Sequence, residues 1–156
     1  MLINAGKYAG KTVELIVLTE PQYVYWLLNK DVSGPILKIK SHAQSLIDRF
    51  DAKPILNKIC NAPTCSAEAK KMSLTVGSLN PYWWCSSCDP YSIGASYGTL
   101  QVVGTYRQAL DHVQRHSLSP VSDSRELIRV LARSKGLPDK AGEPQARVFF
   151  ATMLHP

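Results

Sequence analysis

Residues 60–88 read CNAPTCSAEAKKMSLTVGSLNPYWWCSSC, and this segment holds all four cysteines of the 156-residue chain. The cysteines form two close pairs, Cys60-x4-Cys65 and Cys85-x2-Cys88. Two close thiol pairs around a strand-length insert are typical of a four-cysteine zinc site. The insert predicts a β-hairpin, because an alternating LTV segment and an aromatic YWW segment flank Gly-Ser and Asn-Pro turn signals. We therefore predict a zinc ribbon in which the four cysteines bind one structural Zn²⁺.

Most alternative roles of the cysteines fit the sequence less well than zinc binding. Free buried cysteines would be scattered along the chain, and a disulfide is disfavoured because the N-terminus carries no secretion signal. A redox-active dithiol at Cys85 and Cys88 lacks the βαβ setting of thioredoxin-like proteins. An iron–sulfur cluster takes the same four thiolates, so the spacing alone leaves zinc and iron–sulfur both open.

The charge of the chain favours an anionic partner that binds outside the ribbon. The sequence has 18 Lys and Arg against 12 Asp and Glu, a formal net charge of +6. Residues 1–59 and 105–156 each contain eight basic and five acidic residues, whereas residues 60–104 contain two of each. Zn²⁺ bound by four thiolates makes the ribbon acidic, so the positive charge belongs to the two flanking segments.

Several protein classes are excluded by what the sequence lacks. The longest apolar run, Tyr23 to Leu28, is far shorter than the ~20 residues that a membrane span needs. The N-terminal MLINAGKYAGK has no apolar core of signal-peptide type, so we expect a cytoplasmic protein that stays out of the membrane. Four thiolates saturate zinc and leave no position for a catalytic water. Since the sequence also has no Gly-x-Ser-x-Gly, P-loop or GxGxxG motif, we predict that the protein is not an enzyme.

The predicted fold class is α+β, in three parts. Residues 1–59 begin with a small hairpin formed by LINA and KTVEL around GKYAG, and two helices follow, Glu20–Lys30 and Ile36–Phe50. Thr19 is the predicted N-cap of the first of these helices. Residues 60–104 form the zinc ribbon, and residues 105–156 form a helical part.

The N-terminal part carries a recognisable motif within residues 6–30. It consists of a Gly-Lys-Tyr, a second Gly-Lys and a Tyr-x-x-Trp-Leu helix, and its residues are Gly6, Lys7, Tyr8, Gly10, Lys11, Tyr23, Trp26 and Leu27. This motif resembles the small C-terminal domain of exodeoxyribonuclease X-like proteins and of related short bacterial and phage proteins. The resemblance implies an association with DNA metabolism. It supplies no catalytic residue, because the nuclease active site of such proteins lies in a different domain.

The C-terminal part is predicted to contain three helices, Thr105–His116, Asp123–Lys135 and Glu143–Leu154, the second opened by a capping box at Asp123. Arg125, Arg129 and Arg133 recur every four residues and therefore share one helical face, with Lys135 adding charge near the helix end. A guanidinium stripe can bind phosphates, face solvent or contact an acidic protein, and the sequence leaves these open. With Lys7 and Lys11, the three arginines are our candidate residues for binding nucleic acid or another partner.

Two further groups of side chains have both a functional and a plain structural interpretation. His112 and His116 are spaced to lie on one helical face, where we expect exposed or rim histidines rather than substitutes for a cysteine ligand. Tyr82, Trp83 and Trp84 can stack on bases, although we expect at least one of them in the core.

Two functions follow from these features. The first is a non-enzymatic, bacterial or phage zinc-ribbon protein that binds DNA, RNA or a nucleic-acid-processing complex. The alternative is a small phage-type adaptor or inhibitor that binds a host protein machine through the same surfaces.

Overall fold

The computed structural model describes residues 1–88 and 100–152, which form a mixed α+β fold as predicted. The helices are α1 (Val13–Thr19), α2 (Pro21–Asn29), α3 (Gly34–Ala52), α4 (Tyr106–His116), α5 (Pro120–Ser134) and α6 (Glu143–Ala151). The strands are β1 (Lys71–Thr75), β2 (Pro81–Trp84) and β3 (Leu100–Val102). None of the described helices has the length and apolar character needed to cross a membrane.

The strands form one antiparallel sheet in the order β2-β1-β3. Strands β1 and β2 are the two arms of the predicted ribbon hairpin, with Met72 opposite Trp83 and Leu74 opposite Pro81. Strand β3 pairs with the other edge of β1, so Ser73 lies opposite Val102. The central strand is covered, because the three residues from Met72 to Leu74 are all buried. The hairpin predicted from the insert is confirmed.

The predicted N-terminal hairpin is present only as a single antiparallel bridge between Leu2 and Thr12. Its second arm was predicted to run through KTVEL, but helix α1 begins at Val13. The Thr12 hydroxyl accepts the Leu15 N–H as an N-cap, and Val13, Ile16 and Val17 then lie buried at helical spacing. A capped, amphipathic helix therefore replaces the second strand.

Two helix starts also differ from their predictions. Helix α2 has Glu20 as its N-cap residue, and the Thr19 hydroxyl instead donates to the carbonyl oxygen of Leu15 in the preceding helix. Helix α5 begins at Pro120, three residues before the predicted capping box, because proline is well suited to a first helical turn. Its carboxyl end matches the prediction, since Gly136 follows with a φ of +101°. The predicted Met153 of the last helix lies outside the described residues.

The helices and the sheet share one hydrophobic core. It includes Ile3 near the N-terminus, Phe50 in α3, Met72 in β1, Tyr106 in α4 and Phe150 in α6. The core therefore receives side chains from each of the three predicted parts, whose boundaries stay a prediction. A second, small cluster contains Cys60, Ala62, Trp84 and Cys85, so the cysteines have an apolar environment of their own.

Three helices end around two buried lysines. The Lys135 ammonium, at the end of α5, donates to the carbonyl oxygen of Lys53 at the end of α3, with a nitrogen–oxygen distance of 2.5 Å. The Lys53 ammonium donates in turn to the carbonyl oxygen of Thr152 at the end of α6, at 2.6 Å. Carbonyl groups at helix ends carry partial negative charge, which makes these positions favourable for ammonium groups. Lys135 is thus a structural residue, contrary to the surface charge that the sequence suggested.

Candidate metal centre and aromatic groove

The sulfur atoms of Cys60, Cys65, Cys85 and Cys88 lie within 4.8 Å of one another. Tetrahedral zinc with bonds of about 2.3 Å places its sulfur ligands about 3.8 Å apart, so this cluster fits one such ion with little movement. Cys60 and Cys85 are buried, and the other two are half-buried. The structure therefore brings together the four predicted metal ligands in a site where a metal ion could bind.

Backbone hydrogen bonds hold the two cysteine loops side by side. Asn61 connects the first loop to β2. Its backbone N–H donates to the carbonyl oxygen of Trp83 at 2.7 Å, and its side-chain oxygen accepts the backbone N–H of Trp83 at 2.6 Å. The amide of Cys65 donates to the carbonyl oxygen of Ala62, which closes the turn between the first two ligands. The second loop follows β2 directly, so the hydrogen bonds of Asn61 with Trp83 also bring Cys60 close to Cys85.

The electrostatics of the cluster favour thiolates on two of the four sulfurs. Backbone N–H groups of Ser87 and Cys88 lower the pKa of Cys85 to about 7, and those of Cys85 and Ala62 lower the pKa of Cys60. The pKa of Cys88 is raised to about 12, because its thiol donates to the sulfurs of Cys85 and Cys60. Amide groups aimed at sulfur compensate thiolate charge, which is the environment that a metal ligand requires. A bound Zn²⁺ would supply a cross-link between the two loops, and the donor set leaves no open coordination position.

A groove on the N-terminal part has a volume of about 1060 Å³. Tyr8, Tyr23 and Trp26 line one side of it as a ladder of rings, with centroid distances of 4.8 Å from Tyr8 to Tyr23 and 5.6 Å from Tyr23 to Trp26. The planes of Tyr23 and Trp26 are within 22° of parallel. Trp26 is 42% exposed, so the outer end of the ladder is accessible. We call this cavity the aromatic groove.

Three basic side chains contribute to the lining of the aromatic groove. Lys7, Lys38 and Arg125 line it, and the ammonium groups of Lys7 and Lys11 lie 5.2 and 5.8 Å from the centre of the Tyr8 ring. The acidic side chain among the lining residues, Glu20, is neutralised by Arg125 at 2.7 Å. Burial by itself raises the pKa of Glu20, but the hydrogen bond and charge of Arg125 outweigh it and the pKa is lowered. Lys7 and Lys38 thus add positive charge to the lining, and neither forms an ion pair within residues 1–88 and 100–152.

No family model, curated protein or solved structure matches this chain.

The aromatic groove contains five of the eight residues of the Gly-Lys-Tyr and Tyr-x-x-Trp-Leu motif, namely Gly6, Lys7, Tyr8, Tyr23 and Trp26. Of the three motif residues on α2, Tyr23, Trp26 and Leu27, only Leu27 is fully buried. Val24 and Leu28 fill the core instead, which turns the rings of Tyr23 and Trp26 toward the groove. In the sequence, the spacing of the two aromatic residues and the Gly-Lys-Tyr turn pointed to these side chains. No pattern in the sequence indicated the groove that they line.

The predicted arginine stripe on α5 is only partly free. Arg125 binds Glu20 and the carbonyl oxygen of Thr19, and Arg133 forms an ion pair with Asp139 at 3.2 Å. Arg129 is exposed, and its side chain has no ion pair or hydrogen bond within the described part of the chain. The three side chains share a face as predicted, but two of them have intramolecular acidic partners.

The remaining candidates are the two histidines of α4 and the aromatic residues of β2. His112 is buried and its Nδ1 lies 3.1 Å from the side-chain oxygen of Gln101, with the His116 ring 5.0 Å away. Burial lowers the pKa of His112, and the expectation of two exposed or rim histidines is therefore wrong for this residue. Trp83 and Trp84 are buried, which leaves Tyr82 as the exposed ring of the aromatic strand.

Proposed function

We propose that this chain is a non-enzymatic zinc-ribbon protein of nucleic-acid metabolism in a bacterial or phage context. In this proposal it binds DNA or RNA, or a complex that processes them. The observation that carries the proposal is the aromatic groove, because exposed rings and lysines in one concave surface are the elements with which proteins bind bases and phosphates. The motif that resembles the exonuclease-associated domain supports the same assignment.

The zinc centre has a structural role in this proposal. Four cysteine ligands close the coordination sphere, which argues against metal-assisted catalysis at this site. Zinc with four thiolates is also anionic, so phosphates are disfavoured beside the ribbon and favoured at the lysines of the groove. The Trp84 indole packs in the small cluster with Cys60 and Cys85 and donates to the Ser73 hydroxyl at 2.7 Å, which links the end of β2 to β1 beside the cysteines.

The proposal is tested with the purified, zinc-loaded protein in two measurements. Metal analysis is expected to find about one equivalent of zinc, with no iron and no sulfide. Fluorescence anisotropy with labelled DNA and RNA oligonucleotides is expected to detect binding at low salt, and the affinity should fall as the salt concentration rises, through counterion release. A protein that binds no oligonucleotide at low salt would refute the nucleic-acid assignment.

A second function, an adaptor or inhibitor that binds a protein machine, is favoured by a different observation. Leu2, Ile36 and Val121 line the same groove and are 53%, 41% and 52% exposed. Clustered exposed apolar side chains are typical of protein interfaces. The two functions are separated by the salt dependence, because an apolar interface with a protein does not require the release of phosphate counterions.

A further inference from the structure

The aromatic groove has the features of a site for unpaired bases, and this inference rests on the function proposed above. The ladder of Tyr8, Tyr23 and Trp26 ends at an exposed indole, which has a ring partner on the side of Tyr23 and lines the open cavity. A base can stack on such a ring because both carry flat π-surfaces. A base whose faces are covered by its neighbours in a duplex is not free to do so.

The shape of the cavity separates single strands from duplexes. The rings line a groove of about 1060 Å³, at the upper end of the range for sites that enclose a small ligand. A rigid double helix contacts proteins through its grooves and backbone, whereas a flexible single strand can turn its bases into a concave surface. The concave position of Tyr23 and Trp26 therefore favours a strand with unstacked bases.

The charges of the groove complement a nucleic-acid backbone. Lys7 lies beside the inner end of the ladder, over the Tyr8 ring, and Lys38 lines the groove from α3. Arg125 forms an ion pair with Glu20, so the negative charge of the Glu20 carboxylate is neutralised and does not repel a phosphate in the groove. Lysines that line the same groove as a row of rings match a strand whose bases stack on the rings and whose phosphates contact the lysines.

We infer that the aromatic groove binds single-stranded nucleic acid, with at least one base stacked on Trp26 and phosphates bound by Lys7 and Lys38. The occupant is thus a flexible strand of DNA or RNA, and neither a duplex nor a folded protein is the ligand of the groove.

The experiment compares a short labelled oligothymidylate with a hairpin duplex by fluorescence anisotropy at low salt, using the zinc-loaded full chain. The single strand is expected to bind more tightly than the duplex. Trp26→Ala should weaken binding of the single strand by about 5- to 150-fold, the range for loss of one stacked base, and Trp26→Phe should retain most of the affinity. Changing both Lys7 and Lys38 to Ala should reduce the salt slope by about 0.7 for each phosphate that the variant no longer neutralises.

Tyr82→Ala is the matched control, because Tyr82 is a similarly exposed ring on the ribbon, outside the groove. Far-UV circular dichroism checks that each variant is folded. Equal binding of duplex and single strand, an unchanged affinity of Trp26→Ala, or a loss confined to Tyr82→Ala would overturn the inference while leaving nucleic-acid binding in place. Absence of binding to either probe would overturn the proposed function as well, in favour of the protein adaptor.

Discussion

A buried tyrosine compensates for a proline at the junction of α1 and α2, and this contact gives a sharp test of the fold. The Val17 carbonyl lies in the last turn of α1, and the residue four positions later, Pro21, has no N–H to donate to it. The hydroxyl of Tyr106, from α4, donates to this carbonyl instead, at 2.6 Å. The Tyr106 ring is fully buried and packs edge-on against Phe50, so water cannot replace the hydroxyl.

Tyr106→Phe removes only this hydroxyl and leaves the buried carbonyl without its donor. An unsatisfied buried group of this kind costs about 1–3 kcal/mol of folding free energy. For a chain of this size, each kcal/mol lowers the melting temperature by about 2–4 °C, so we expect a decrease of about 2–12 °C. Urea and thermal denaturation, followed by far-UV circular dichroism on the zinc-loaded protein, measure both quantities.

The matched control is Tyr82→Phe, which removes a hydroxyl from a ring that is 44% exposed. Its effect on stability should lie within about 0.5 kcal/mol of zero, as for most surface substitutions. The reasoning is refuted if Tyr106→Phe is no more destabilising than Tyr82→Phe. It is also refuted if Tyr106→Phe changes the slope of the urea transition, because the change would then lie in the denatured state.

Three further predictions concern the metal centre and the buried charges. Cys88→Ser is expected to lower the zinc content and to unfold residues 60–88, as measured by metal analysis and by faster amide hydrogen exchange in that segment. Because Arg125 lowers the pKa of Glu20, the ion pair stabilises the fold above about pH 4.5, and this stabilisation is lost as the pH falls through the lowered pKa. The denaturation midpoint of Arg125→Ala should therefore depend less on pH in the acid range than that of the wild type. Lys135→Met should destabilise the fold by about 1–3 kcal/mol in urea denaturation, since it removes the ammonium group that satisfies carbonyls at the end of α3.

The ribbon could be predicted from the sequence because its determinants are local. The spacing of the cysteines and the turn signals between β1 and β2 lie within residues 60–88, and a hairpin needs little beyond its own turn and alternation. The start of α4 was equally accessible, because Thr105 and Gln108 form a capping box within four residues. In both cases the residues that decide the structure are neighbours in the chain.

The start of the chain shows where such local reasoning fails. An apolar segment that begins at Val13 suits a strand and a helix almost equally, because β-branched residues are common in strands. The Thr12 cap and a buried face made of Val13, Ile16 and Val17 favour the helix, and that face packs against α3, α5 and α6. The choice between strand and helix is therefore made by elements that begin 15 or more residues after the end of α1.

The same distinction explains the arginine stripe. Helical spacing correctly places Arg125, Arg129 and Arg133 on one face, since that depends on geometry alone. Whether an arginine is free depends on its tertiary partners, and Glu20 lies 105 residues before Arg125 in the chain. Replacing all three arginines would therefore mix the loss of two intramolecular ion pairs with any effect on partner binding. Arg129 has no such pair among the described residues, so an effect of replacing it alone on partner binding is not mixed with the loss of an intramolecular ion pair. The phosphate contacts that we infer are made by the lysines of the aromatic groove.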